Sequence, residues 1–253
     1  MPTSLSVLLV GESWFTYSIH QKGFDTFETA EYTEGAGEFI AALRGLGHEV
    51  RYIPSHRVDV EFPTDANGLE GIDVVVLSDV GANTFLLGKA TFTRSEVVPN
   101  RLEMLAAWVR EGGALLMIGG YMSFSGIDGK ARYGRSPLAA VLPVIVADHD
   151  DRTEVPEGFV PEVREPGHPA LAGVPAAWPR VLGYNRVEPR DGSTVLVARG
   201  DDPILVVGEH GAGRCAAFTP DLAPHWAPPE FVSWDAYGRL WQSLLGWLAE
   251  HPA

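Results

Sequence analysis

The sequence predicts an α/β protein with a mostly parallel central sheet, helices on both faces of that sheet, and antiparallel strands added in the second half. In the first half, short apolar runs alternate with stretches of helical spacing. In the second half, short strand patterns follow one another, separated by turn signals. We find no linker and no internal repeat in the 253 residues, and we expect one domain over residues 1–253.

Four runs in the first half are predicted to be strands: Leu5–Val10, His48–Ile53, Ile72–Leu77 and Ala114–Ile118. Leu5–Val10 and Ile72–Leu77 have the near-continuous apolar composition of strands that are buried on both faces. Apolar residues three and four apart predict helices at Gly37–Leu46 and Arg101–Glu111, and a glycine follows each of them. Because strands and helices alternate, two βαβ crossovers are expected, with parallel strands and right-handed connections.

The second half predicts strands that extend this sheet or form a ribbon beside it. The candidates are Thr153–Glu165, Val181–Pro189, Thr194–Ala198, Pro203–Gly208 and Gly213–Phe218. Turn signals such as Asp191-Gly192 and His210-Gly211 separate them. Leucine and tryptophan then recur at helical spacing in Trp234–Glu250, which predicts a packed terminal helix.

The composition excludes several classes of function. The formal net charge is −14, and no run of Lys or Arg forms the basic face that a nucleic acid or an anionic membrane would need. Cys215 is the one cysteine and lies in a strand pattern, so we expect a buried, inert thiol, no disulfide and no cysteine-based zinc site. The first residues lack a basic signal-peptide region, which makes the cytoplasm the expected location.

Several segments, read in order, carry a resemblance to a known family. They are Gly11-Glu12-Ser13, Ser78–Asn83, Gly112–Phe124, Gly167–Leu171, Gly211–Asp221 and Pro224-His225-Trp226. Together they resemble the glutamine amidotransferase-like family of bacterial cytoplasmic proteins. More distantly, the chain is similar to trehalose-utilisation-type proteins and to the trimerisation domain of some β-galactosidases. The resemblance implies a flavodoxin-like three-layer sandwich, without an assigned activity.

The sequence departs from the wider amidotransferase pattern at its central residue. Class I amidotransferases carry Gly-x-Cys-x-Gly on a sharp turn after a strand, where a His–Glu pair activates the thiol. In this chain the turn reads Gly119-Gly120-Tyr121-Met122-Ser123, so Tyr121 replaces the cysteine and Ser123 the second glycine. A phenol with a pKa of about 10 is a poor acyl acceptor. We therefore expect a scaffold that does not hydrolyse glutamine.

Polar residues that follow the predicted strands are the candidates for a binding site. Ligands of open parallel sheets bind beyond the carboxyl ends of the strands. Polar side chains are also common at strand ends simply because turns need hydrogen bonds. With no cofactor or metal implied, we expect a small polar ligand, and the trehalose-utilisation-type relatives suggest a sugar. The candidate ligand-binding residues are Glu12, Ser13, Asp79, Asn83, Tyr121, Ser123, Asp221 and His225.

A hydrolase is the first alternative function. His225 would be the base, Ser123 or Ser125 the nucleophile, and Asp221 or Asp79 the residue that orients the histidine. No Gly-x-Ser-x-Gly motif supports this reading. The acidic group around His149 is interpreted as a solvated turn, with a weak divalent-cation site as the alternative.

The second alternative is an assembly module. Aromatic residues crowd the segment after the first strand without clear periodicity, and they would form a lid, a self-association surface or part of the core. We expect a homo-oligomer on this basis. The residues are Trp14, Phe15, Tyr17, Phe24, Phe27 and Tyr32.

Overall fold

The computed structural model describes residues 4–250 as a mixed α/β fold. In chain order the strands are β1 (Ser6–Gly11), β2 (Ser13–Lys22), β3 (Asp25–Glu34), β4 (Glu49–Ile53), β5 (Val74–Ser78), β6 (Ala114–Ile118), β7 (Val144–Val146), β8 (Arg152–Phe159), β9 (Glu162–Val163), β10 (Val181–Asn185), β11 (Val187–Pro189), β12 (Thr194–Arg199), β13 (Asp202–His210) and β14 (Gly213–Phe218). The α-helices are α1 (Gly37–Gly45), α2 (Val58–Glu61), α3 (Ala82–Leu86), α4 (Lys89–Arg94), α5 (Arg101–Arg110), α6 (Pro229–Val232) and α7 (Tyr237–Ala249).

Eight strands form the central sheet, in the order β4-β1-β5-β6-β14-β13-β12-β9. The strands from β4 to β14 in this order are parallel to one another, whereas β13, β12 and β9 continue the sheet antiparallel. The predicted fold class is therefore confirmed, including the antiparallel extension. The turn predicted at His210-Gly211 joins β13 to β14 in a hairpin.

Alternation along the buried strands divides the core into two layers. In β1, Val7 and Leu9 face the layer that contains α1 and α7, while Leu8 and Val10 face the layer that contains α5. Because both faces of the parallel strands are covered, their sequences are almost continuously apolar. This gives the three-layer, flavodoxin-like arrangement. Helix α7 is the longest helix described, at 13 residues, and no described helix meets the requirements of a membrane span.

The structure corrects several predicted boundaries. The strand predicted over Thr153–Glu165 is two strands, β8 and β9, which pair with different partners: β8 with β10 and β9 with β12. The strand predicted over Val181–Pro189 is also two, β10 and β11, and each pairs in its own two-stranded sheet. The terminal helix begins at Tyr237 rather than Trp234, and the predicted helix over Gly37–Leu46 ends one residue earlier.

A long hairpin that was not predicted follows directly after the first strand. Strands β2 and β3 pair antiparallel over ten residues each, from Ser13 opposite Glu34 to Lys22 opposite Asp25. We call residues 13–34 the arm. At its base, Phe15 and Tyr32 pack edge-on against His56, with ring centroids 5.6 and 5.0 Å away. Beyond that contact most arm residues are exposed.

Candidate functional site

The site lies where four neighbouring parallel strands end. Glu12 follows β1, Asp79 follows β5, Tyr121 lies three residues after β6, and Asp221 lies three residues after β14. Since these strands are adjacent in the sheet, their carboxyl ends bring the four side chains to one edge. His225 reaches the same place from the segment that follows Asp221.

Together these residues line a crevice of about 500 Å³. Five of the eight residues predicted to bind a ligand are in its wall: Glu12, Asp79, Tyr121, Asp221 and His225. Four further residues line the crevice and were not among the predicted ligand-binding residues: Trp14, Met122, Ile127 and Pro224. Trp14 was singled out only as one of the aromatic residues of a lid, an interface or the core. The other three are apolar, and the folding of the segments after β6 and β14 brings them here.

The three other predicted residues lie elsewhere. Asn83 is exposed on α3 and does not line the crevice. Ser13 is buried, and its hydroxyl oxygen accepts a hydrogen bond from the Ser55 amide at 2.8 Å. Ser123 is buried too, and its hydroxyl oxygen accepts from the Asp79 amide at 3.1 Å. Both serines therefore stabilise the backbone around the site.

Glu12 and Asp221 form the buried floor of the crevice. Each is almost fully shielded from solvent. The Ser78 hydroxyl donates to Glu12 Oε2 at 2.7 Å. Asp221 Oδ1 accepts from the backbone amides of Leu222 and Ala223, at 2.7 and 3.3 Å. These donors stabilise negative charge but do not offset the loss of water around the two carboxyl groups.

Burial therefore controls the protonation of the three carboxyl groups. It raises the pKa of Glu12 well above its usual range, and the negative charges of Asp221 and Asp79 raise it further. The pKa of Asp221 is also raised well above its usual value, by burial first and by Asp79 second. The pKa of Asp79 is raised by burial, against the lowering effects of the Met122 amide and His225. A carboxyl group whose pKa is raised keeps its proton to a higher pH than usual, and a protonated carboxyl group can donate as well as accept hydrogen bonds.

The backbone is strained at two of these carboxylates. Glu12 and Asp79 have φ of 47° and 44°, in the left-handed region that non-glycine residues seldom occupy. Next to Glu12, Gly11 has a φ of 106°, and a Cβ atom there would lie 1.9 Å from the Ser78 carbonyl oxygen. The ends of β1 and β5 thus approach too closely for a side chain. Such strain concentrates at functional sites, where the surrounding structure holds it.

The loop after β6, residues 119–126, is held from below by a buried polar network. The Gly120 amide donates to Asn185 Oδ1 at 2.9 Å, and Asn185 Nδ2 donates to Asp151 Oδ1 at 2.8 Å. Asp151 also accepts from the amides of Ser125 and Gly126, both at 2.8 Å. Asp151 thus has a structural role, which the prediction of a solvated acidic turn did not include.

Tyr121 is fixed on the rim of the crevice by Glu154 and Arg152. Its hydroxyl donates to Glu154 Oε1 at 3.0 Å, and the Arg152 guanidinium lies 4.5 Å from the centre of its ring. Burial and Glu154 raise the pKa of Tyr121, so the phenol stays protonated. The other oxygen of Glu154 accepts from Trp226 Nε1 at 2.9 Å. Glu154 therefore ties two aromatic residues of the site together, which the sequence did not indicate.

His225 stands between an aromatic pair and a carboxylate. Its ring packs edge-on against Tyr121, with centroids 4.2 Å apart, and nearly parallel to Trp226 at 5.1 Å. Its Nδ1 lies 3.4 Å from Asp221 Oδ2. Burial lowers the pKa of His225, while Glu154 and Asp79 act in the opposite direction. A neutral imidazole at this position can accept a proton.

The structure separates Cys215 from the crevice. It lies in the middle of β14, buried in the sheet, where burial raises the pKa of its thiol far above the usual value. The prediction of a buried thiol is confirmed. Within residues 4–250, no three His, Cys, Asp or Glu side chains converge in a way that would hold a metal ion.

Comparison with known proteins decides the family. A sequence model described as "Putative glutamine amidotransferase" matches residues 6–250. The chain belongs to this glutamine amidotransferase-like family. Two cytoplasmic proteins of Salmonella typhimurium resemble it over nearly their whole length. One is 45% identical, with a TM-score of 0.93 and coverage of 96% of this chain and 99% of that one. The other is 41% identical, with a TM-score of 0.93 and coverage of 97% and 100%.

More distant structures share the fold of this family member. A ThuA-like protein from Parabacteroides merdae has a TM-score of 0.57 at 12% identity, and the match covers 98% of this chain and 90% of that one. At this level of identity the likeness concerns the fold alone. No curated protein matches the sequence.

Proposed function

We propose that this glutamine amidotransferase-like protein binds a small, uncharged, hydroxyl-rich molecule, such as a sugar, in the crevice at the carboxyl ends of β1, β5, β6 and β14. One observation carries the proposal: three carboxyl groups with raised pKa values meet beneath an aromatic wall. The cytoplasmic Salmonella relatives support a location in the cytoplasm.

The charge state of the floor favours an uncharged ligand. An anionic ligand would enter next to Glu12, Asp79 and Asp221 and raise the electrostatic cost of every remaining negative charge. A hydroxyl group has one donor and two acceptor sites. It can therefore accept a hydrogen bond from a protonated carboxyl group and donate one to a neighbouring carboxylate.

The walls favour a ligand with apolar faces as well as hydroxyl groups. Trp14, Tyr121 and Met122 line the crevice beside the acidic floor. Ligand pockets are typically lined by apolar and aromatic side chains, with a few placed polar groups that fix orientation. A sugar ring combines both kinds of surface, because its C–H faces are apolar and its edge carries hydroxyl groups.

The same geometry supports the absence of amidotransferase chemistry. The turn after β6 presents Tyr121, which is hydrogen-bonded to Glu154 and whose pKa is raised. Cys215 is buried within β14 and stays a thiol rather than a nucleophilic thiolate. We therefore propose that the family scaffold serves here without the catalytic cysteine. Purified protein incubated with glutamine should release no glutamate above the rate of a Cys215→Ala variant.

The ligand proposal is tested by thermal shift with neutral monosaccharides, disaccharides and polyols, alongside the corresponding sugar phosphates. A neutral compound should raise the melting temperature, since a ligand present at about 100 times its Kd adds about 2.7 kcal/mol to the folded state. Asp221→Asn should remove the shift. Glu157→Gln, an exposed change on β8, should leave it intact.

Two outcomes would overturn the ligand proposal. One is a shift produced by sugar phosphates and not by their neutral counterparts. The other is a neutral compound whose shift is the same in Asp221→Asn as in the unaltered protein, since that compound would bind outside the crevice.

The pair formed by His225 and Asp221 favours hydrolysis as the second candidate function. Its 3.4 Å separation and the neutral imidazole suit a general base that activates water at the crevice. Ser123 and Ser125 are both buried, so water is the better nucleophile. Any glycoside that produces a thermal shift should be followed by NMR for product. Turnover that His225→Gln abolishes while binding persists would establish the hydrolase, and binding without turnover would exclude it.

A further inference from the structure

The arm presents an unusual amount of apolar surface to solvent. Tyr17 and Ile19 are 74% and 73% exposed, and Phe24 at the tip is fully exposed. A two-stranded hairpin is at best marginally stable in water without a partner for its apolar face. Ten residues in each strand at about 3.3 Å per residue extend it by roughly 30 Å. Such a feature indicates an interaction surface.

The two faces of the arm differ in chemistry. Residues directly opposite each other in β2 and β3 point to the same face. One face, here called the apolar arm face, contains Phe15, Tyr17 and Ile19 from β2, with Tyr32, Ala30 and Glu28 opposite them on β3. The opposite face is mainly polar: it pairs Thr16 with Glu31, Ser18 with Thr29, His20 with Phe27 and Lys22 with Asp25, and it carries Trp14 at its base.

A second set of exposed apolar side chains continues from the base of the arm. His56, against which the arm packs, lies two residues before the start of α2. The Lys89 amide at the start of α4 donates to Asp59 of α2 at 3.0 Å. Helices α2 and α4 are therefore neighbours. We call the exposed apolar residues on these helices and their flanks the body patch. They are Val60, Leu87, Phe92, Val97 and Val98.

We propose that the apolar arm face binds the body patch of a second copy of this chain, and that the exchange is reciprocal about a two-fold axis. A two-fold interface uses the same surface of both copies, so each supplies one arm and one patch.

The area of the arm explains why both surfaces are needed. Phe15, Tyr17 and Tyr32 are 48%, 74% and 38% exposed. With about 150–250 Å² per aromatic side chain, they offer roughly 300 Å² of surface on the arm. A stable interface takes about 800 Å² from each partner. The arm alone therefore supplies less than half of what a dimer needs, so each copy must contribute a second surface, and the proposal assigns that role to the body patch.

Charge favours this geometry over other contacts between two copies. Each copy carries a formal net charge of −14, so contact through most of the surface brings carboxylates together. On the apolar arm face, the cross-strand pairs Phe15–Tyr32 and Tyr17–Ala30 carry no charge. Glu28 and Glu34 are on the same face, at the two ends of this uncharged stretch. The residues of the body patch are all uncharged.

Sedimentation velocity on the full-length protein and two matched double variants tests the proposal. The unaltered chain should sediment as a dimer. Tyr17→Lys with Ile19→Lys adds two charges to the apolar arm face and should raise the Kd of the dimer on the order of a hundredfold or more. Thr16→Lys with Ser18→Lys adds the same charges to the same strand on the opposite face, and it should remain dimeric.

The body patch is tested by Phe92→Lys, which should weaken the dimer as the apolar arm-face variant does.

A chain without the arm serves as a control for the arm variants, in case their substitutions misfold the arm. Because Ser13 pairs with Glu34, replacing residues 14–33 by a two-residue turn closes the hairpin at its base. This chain should be monomeric and keep the far-UV circular dichroism of the core.

Three results would overturn the proposal. The first is a monomeric wild-type chain at all concentrations reached, which would assign the arm to another partner or to its own crevice. The second is an equal loss of dimer in both arm variants. The third is a dimer that persists without the arm.

Discussion

At the scale of single residues, the site contains strained backbone and buried carboxyl groups, which lower the stability of the fold. Glu12 combines a left-handed backbone, burial and two carboxylate neighbours. Backbone strain of this type costs about 1–3 kcal/mol. Asp79 has the same backbone conformation on the adjacent strand end. Such costs are tolerated at sites where function requires the group, which agrees with the proposal of a ligand-binding crevice.

The raised pKa of Glu12 makes stability depend on pH in a defined direction. The folded state binds this proton more tightly than the unfolded state, whose glutamate has a pKa of about 4.3. The stabilising contribution is complete below that pH and is lost as the pH rises through the raised folded value. Glu12→Gln carries no such proton. From about pH 5 to about pH 8, the melting temperature of the unaltered protein should therefore fall more than that of the variant.

The exposed change Glu157→Gln serves as the control for this pH series. It should reproduce the pH dependence of the unaltered protein, because Glu157 lies in solvent on β8. Parallel curves for the unaltered protein and Glu12→Gln would show that Glu12 ionises at its ordinary pH. The acidic floor would then lose Glu12 as a proton donor and gain its negative charge, which would contradict the charge argument for an uncharged ligand.

At the scale of elements, the loop after β6 depends on residues far away in sequence. Asn185 at the end of β10 connects the Gly120 amide to Asp151 and is fully buried. Asn185→Leu keeps the side-chain volume but leaves the Gly120 amide and the Asp151 carboxyl group without the hydrogen bonds that Asn185 makes to them. Each buried polar group left unpaired costs about 1–3 kcal/mol, so the variant should lose about 3 kcal/mol of unfolding free energy in urea denaturation. Asn83→Leu, an exposed asparagine on α3, should change stability by less than about 0.5 kcal/mol.

A loss below about 1 kcal/mol for Asn185→Leu would show that the loop is positioned by its own turns. The tight approach at Gly119 offers that alternative, because a Cβ atom there would lie 1.9 Å from the Thr219 carbonyl oxygen. The unfolding experiment therefore distinguishes a loop held by buried hydrogen bonds from one held by close backbone contact.

The elements also show what the sequence could and could not predict. Strands β1, β5 and β6 are apolar runs bounded by glycine or polar turns, and the carboxyl-end rule then places Glu12, Asp79 and Tyr121 together. The arm escaped prediction although β2 alternates apolar and polar residues from Phe15 to His20, because the aromatic residues of this segment were interpreted as lacking a clear period. Its strands are exposed on both faces, so burial in the core gave no further signal. Asn83 was predicted by its proximity to a strand end, but the short helix α3 carries it away from the crevice.

At the scale of the whole molecule, the acidic composition and the apolar arm act in opposite directions. Two copies that each carry −14 repel each other, and dissolved salt screens that repulsion over about 10 Å at 0.1 M. Contact between the apolar arm face and the body patch is not weakened by screening. Self-association limited by repulsion should therefore strengthen as salt is added.

The balance between charge repulsion and apolar contact makes dimerisation depend on salt. Between about 0.02 M and about 0.3 M sodium chloride, the Kd of the dimer should fall several-fold, because the Debye length shortens from roughly 20 Å to below 10 Å. Sedimentation velocity across the salt series measures it. The control with Thr16→Lys and Ser18→Lys makes the net charge of each copy less negative by two. It should therefore dimerise more tightly at low salt and respond less to added salt. A dimer that weakens with salt would instead be held by ion pairs, and an interface made of the apolar arm face and the body patch would be excluded.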